Sequence, residues 1–220
     1  MIFSSQPRIS VSKHEILDFL GQPQSSRLIQ LANEVNGEAQ AFLSPIYHIS
    51  DSIQRSISKR KRGISNPENE RYFVGAATIG AKLEQEVSRL FKSGLFSQGL
   101  TLDAFGTIAT RKTVQEALKT IKDMAADDRL FPGKIIMPGI DGESLELHEI
   151  ILQAFGSQQD ILVTEKLLLR PLKSSTFYIS LSHNSNEYHD TCFSQNCSRF
   201  NPKCNKCYEQ VQRDRPCDQA

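Results

Sequence analysis

Residues 72–126 read YFVGAATIGAKLEQEVSRLFKSGLFSQGLTLDAFGTIATRKTVQEALKTIKDMAA, and this stretch decides the fold. From Tyr72 to Ile79 the residues are β-branched and aromatic enough to predict a short strand, which Gly80 interrupts. Leu83, Val87, Leu90 and Phe91 then recur at helical spacing, with Lys82, Glu84, Glu86 and Arg89 turned to water, so an amphipathic helix follows at once. Gly94 is placed to stop it in a left-handed cap. A second, longer helix carries Phe105, Ile108, Ala109, Val114, Ala117, Leu118 and Ile121 as its apolar stripe. Gly99 and Gly106 each cost that helix about 1 kcal/mol, which predicts close packing of another backbone against them. Taken alone, the stretch is a strand and helix pair in a core.

Upstream, Ser12-Lys13-His14-Glu15 has the form of a capping box, followed by Ile16, Phe19 and Leu20 as an apolar face and by Gly21 as a stop. Ser25 or Ser26 caps a second helix with Leu28, Ile29, Ala32 and Val35 inward. A strand is expected within Phe42–Ile49, with His48 packed in it rather than catalytic, and a polar loop over 56–71. Downstream, residues 127–133 (DDRLFPG) give a turn signal and Lys134–Met137 a short strand ending at Pro138-Gly139. A helix is expected from Glu143 to about Phe155, with His148 as a core histidine and Gly156 closing it. Thr176–Leu181 is strongly strand-like. From His183 onward the composition turns to Asn, Ser, Cys and charge, which marks a boundary.

Composition narrows the function classes. Lys plus Arg total 26 and Asp plus Glu 25, so the net charge is +1. Non-specific nucleic-acid binding needs a basic surplus to displace counterions, and the one basic run, Lys59–Arg62, reads as a solvated loop. No apolar run approaches the ~20 residues of a membrane span, and the N-terminus has no apolar signal core, so a cytoplasmic protein without membrane or nucleic-acid partners is expected. No Gly-rich nucleotide loop, hydrolase elbow or paired-carboxylate arrangement is visible, which also argues against a small-molecule methyltransferase.

All five cysteines are crowded at one end: Cys192, Cys197, Cys204, Cys207 and Cys217, separated by four, six, two and nine residues. A disulfide scaffold would spread them along the chain. Four thiolates within so short a segment suit tetrahedral zinc or an iron–sulfur cluster, and the spacing does not choose between them. Cys192, Cys197, Cys204 and Cys207 are the predicted ligands, with His183 and His189 as alternatives and Cys217 either spare or replacing Cys192.

The segment from Gly75 to Ala109 resembles the reactivation (activation) domain of cobalamin-dependent methionine synthase, especially its free-standing homologues. The shared features are Thr78-Ile79-Gly80, Leu83-Glu84, the turn from Phe91 to Gly94, and Leu102-Asp103-Ala104-Phe105-Gly106. Further on, Met137-Pro138-Gly139-Ile140 before a helix, Val163-Thr164-Glu165, and Pro171 followed by Ser174-Ser175 keep the family's order and spacing. The resemblance covers about residues 12–182. It implies an α+β fold for residues 1–182, with a central, mainly antiparallel twisted sheet and helices packed on it, and a small Cys-rich tail over 183–220, as comparable free-standing relatives have.

For function, the resemblance implies an accessory of corrinoid-dependent methyl transfer. The family's domain docks on a corrinoid protein so that an electron and a methyl group from S-adenosylmethionine restore an oxidised, inactive cobalamin. This chain would act in trans on a separate corrinoid protein, with a redox donor or a cluster in its own tail supplying the electron. Lys134, Pro138, Gly139 and Glu165 are the residues to carry over to S-adenosylmethionine. The family's Arg-x-x-x-Gly-Tyr element departs here, with Ile135 for the Arg and Ile140 for the Tyr. An Arg grips a carboxylate with two charge-assisted hydrogen bonds and an Ile offers none. Lys134 would replace it only if the strand register shifts, since neighbours on a strand face opposite ways. A second reading is therefore a non-enzymatic binding module with a degenerate ligand site and a zinc-held tail.

Overall fold

A computed structural model describes residues 2–21, 25–51, 71–139, 143–156 and 160–183. Five strands make the main sheet: β1 (Ile2–Ser5), β2 (Ile46–Ser50), β3 (Arg71–Thr78), β4 (Phe131–Ile136) and β7 (Ser174–Ser182). Their order is β1-β2-β3-β7-β4, and every pairing is antiparallel. A separate hairpin joins β5 (Leu162–Val163) to β6 (Leu169–Arg170). The helices are α1 (Lys13–Phe19), α2 (Ser26–Ala39), α3 (Lys82–Lys92), α4 (Phe96–Asp127) and α5 (Leu147–Gln153), with a 3-10 turn at Gln40–Phe42. The expected α+β class, with its mainly antiparallel sheet and packed helices, is what the chain adopts.

β3 is buried on both faces from Tyr72 to Thr78, which is why its sequence shows no alternation. Phe73 and Ala77 join Tyr47, Ile49, Phe177, Ile179 and Leu181 under the second half of α4, where Val114, Ala117, Leu118 and Ile121 lie. Tyr72, Val74 and Ala76 face the other way with Tyr178, against Leu147, Ile151 and Phe155 of the α5 region. The first half of α4 leaves the sheet and packs with α1, α2 and α3 through Leu102, Phe105 and Ile108. A helix of 32 residues, about 48 Å long, thus serves two cores in succession. Its threonines are accommodated because Thr101, Thr107, Thr110, Thr113 and Thr120 each donate to the carbonyl one turn back. Among the described residues no helix is long and apolar enough to cross a membrane.

The capping box forms as expected. The Ser12 hydroxyl accepts from the Glu15 amide at 3.3 Å, and the Ser12 amide donates to the Glu15 carboxylate at 2.9 Å. Burial alone would raise the Glu15 pKa, but hydrogen bonds from Lys112 and Ser12 outweigh it and hold the carboxylate below its ordinary value. Ser25 caps α2, and Gly21, Gly94 and Gly156 all take positive φ at helix ends.

Three expectations need correction. Gly99 and Gly106 do not admit another backbone: a Cβ on Gly99 would lie 3.2 Å from the Phe91 ring, and one on Gly106 2.6 Å from Leu83 Cδ2. The glycines make room for side chains of α3. The turn over 127–133 is shorter than its composition suggests, because β4 already begins at Phe131. Pro132 and Gly133 are tolerated there since β4 is an edge strand whose register shifts between Pro132 and Ile135. Finally, α5 starts at Leu147 rather than Glu143, after a turn at residues 145–146.

Candidate functional site

The place to which the sequence points is the end of β4. Ile135 pairs with Ile179 and Ile136 with Tyr178 of β7, and the chain then passes through the buried Met137 and Pro138 to Gly139. Gly139 has φ +79°, a conformation that glycine adopts without strain. Its amide donates to the Glu143 carbonyl at 3.1 Å. The Glu143 carboxylate in turn accepts from the Tyr178 hydroxyl at 2.9 Å. Tyr178 is a central-strand residue 1% exposed, so the turn after β4 is pinned to the middle of the sheet. A Cβ on Gly139 would lie 2.7 Å from Leu145 Cδ2, so the glycine is also needed for space.

Ile135 is wholly buried among the residues that pack under α4, including Val114, Phe177 and Ile179. This fixes the meaning of the sequence departure at that position: the side chain completes a core and presents nothing to a ligand. Lys134 lies within the irregular part of β4. Glu165 is exposed at the tip of the β5–β6 hairpin, where the Thr164 amide donates to the Leu168 carbonyl at 2.9 Å and the Thr164 hydroxyl accepts from the Leu168 amide at 3.1 Å. Among the described residues no hydrogen bond or ion pair joins Glu165 to Pro138 or Gly139. The structure thus keeps Pro138 and Gly139 together at one turn and sets Glu165 on a different one.

Two buried histidines line the face of the sheet under α5. His48 of β2, Ala76 of β3 and Thr176 of β7 stand in one cross-strand row. The Thr176 hydroxyl lies 2.7 Å from His148 Nδ1. His48 bridges Ser4 at 2.7 Å and Asp160 at 3.1 Å, with its ring against Phe155. Both are satisfied packing histidines, as expected, and burial pushes His148 below the usual imidazole range.

The motif residues of the resemblance converge elsewhere, at residues 171–174 where β7 begins. The Glu84 carboxylate accepts from the Leu172 amide at 2.5 Å. Lys173 reaches Asp103 at 2.8 Å and donates to the Thr107 hydroxyl at 2.8 Å. Its carbonyl accepts from the Ile79 amide and the Thr78 hydroxyl, and the Ser174 hydroxyl donates to that of Thr78. Thr78, Ile79, Glu84, Asp103, Gly106 and Ser174 therefore form a structural junction between β3, α3, α4 and β7. Sequence order alone gave no sign that they meet.

Two cavities stand out, and neither is lined by Pro138, Gly139 or Glu165. A partly open one of about 240 Å³ lies between residues 8–15 and the outer face of α4. An open one of about 480 Å³ lies between α3 and Leu172. Among the described residues there is no group of three or more His, Cys, Asp or Glu side chains that could hold a metal ion. The predicted ligands Cys192, Cys197, Cys204 and Cys207, with Cys217 and His189, lie outside the described residues, as does Ile140.

No family profile and no curated protein matches the chain. Among solved structures, it is similar to the reactivation domain of MetH, determined as a crystal structure bound to AdoHcy. The TM-score is 0.51 at 10% sequence identity, and the match covers 96% of this chain and 88% of that one. A likeness of this kind shows the fold.

Proposed function

We propose, from the fold held in common with the MetH reactivation domain, that this chain is an accessory protein of corrinoid-dependent methyl transfer. It docks on a separate corrinoid-binding protein and supports the return of an oxidised corrinoid to its working state. The observation that carries this reading is the extent of the likeness, which takes in nearly the whole of both chains. The junction around Lys173 supports it, because it gives the family-like residues a shared physical task in holding that fold.

The fit to an S-adenosylmethionine-type ligand is a separate question, and the residues at Ile135 do not fit it. A carboxylate set beside a buried Ile loses the hydrogen bonds of water and gains none. What remains is the backbone at Pro138-Gly139, held open by a positive φ, and the exposed Glu165. The burial of Ile135 therefore favours a second reading, a docking module that binds its corrinoid partner without the methyl donor. Calorimetric titration with S-adenosylmethionine separates the two: saturable heat supports a retained ligand site, and none at millimolar ligand supports the module.

The domain boundary near residue 182 and the tail's metal belong to the same proposal. Cys192, Cys197, Cys204 and Cys207 would hold zinc or an iron–sulfur cluster. A cluster would let the tail pass an electron to the docked corrinoid, while zinc would only order the segment. Anaerobic purification followed by metal analysis and an absorption spectrum tests this. A colourless protein holding only zinc would leave electron delivery to an external donor.

A further inference from the structure

We draw no further inference here: the strongest candidate, the exposed apolar patch of Leu95, Phe96 and Leu100 where α3 turns into the long helix α4, carries nothing because no feature of the described residues shows what covers it.

Discussion

Lys173 and Asp103 meet at 2.8 Å, and through this pair the entry to the last strand is fastened to the long helix. Lys173 is only 17% exposed and also holds the Thr107 hydroxyl, while its carbonyl ties down the end of β3. Lys173→Met keeps the stem and removes the charge. Hydrogen bonds to charged groups are worth about 1.5–3 kcal/mol, and the partial exposure of Asp103 reduces this. A loss of about 1–2 kcal/mol is expected from urea denaturation. Asp103→Asn, which keeps one acceptor, should cost less than 1 kcal/mol.

The two tightest glycines should respond in different ways. A Cβ on Gly75 would lie 2.1 Å from the ring of its cross-strand neighbour Phe177, which is wholly buried in the middle of the sheet. Overpacking of this kind costs roughly 1–3 kcal/mol, and Gly75→Ala should lie at the upper end, with partial recovery when Phe177→Leu is added. A Cβ on Gly106 would meet the far end of Leu83 at 2.6 Å, yet the exchange also gains about 1 kcal/mol of helix propensity. Gly106→Ala should therefore stay within about 1 kcal/mol of the parent. Thermal unfolding of the two variants side by side checks the order.

Placing an arginine at position 135, as the resemblance would have it, should fail. Ile135 is 0% exposed beneath α4, so Ile135→Arg would bury an unpaired charge, which costs several kcal/mol. The variant should be strongly destabilised and show no gain in S-adenosylmethionine binding. Ile135→Val should lose only about 1 kcal/mol. A well-folded Ile135→Arg protein with new ligand heat would mean that this position faces a ligand groove.

Stability should depend on pH through His148. Its folded pKa lies below the ordinary 6.5 because burial disfavours the cation. The unfolded chain then binds more protons than the folded one as pH falls below about 6.5, so stability declines in that direction and is fully present above it. His148→Gln keeps a partner for Thr176 and removes the titration. Between about pH 7.5 and 5.5 the parent should lose more stability than the variant, by chemical denaturation at each pH.

Much of this fold can be read from residue patterns because local chemistry and tertiary structure agree. The capping box at Ser12 and Glu15, the left-handed Gly94 and the β-branched run ending at Thr78 each announce themselves. β1 does not, since Ile2–Ser5 is short, largely exposed and held chiefly by its backbone pairing with β2. The second half of β4 is legible, but its start is hidden by Pro132 and Gly133, which an edge strand with an irregular register accepts. For the candidate site, the sequence shows Ile135 where the resemblance implies an Arg, but not how that residue is placed. Only the packing with Val114 and Ile179 shows that the position is core. The cavity around Arg8 and Arg111 left no sequence signal, because its two walls are about a hundred residues apart.

The corrinoid reading meets its most direct test in a binding measurement. The full chain, purified anaerobically, would be titrated into the cobalamin-binding part of a methionine synthase held in the cob(II) state, and the corrinoid absorption spectrum followed. A saturable spectral change at one chain per corrinoid, with the two proteins co-eluting on gel filtration, is the predicted result. An unchanged spectrum with no co-elution, from protein whose unfolding is cooperative, would contradict it.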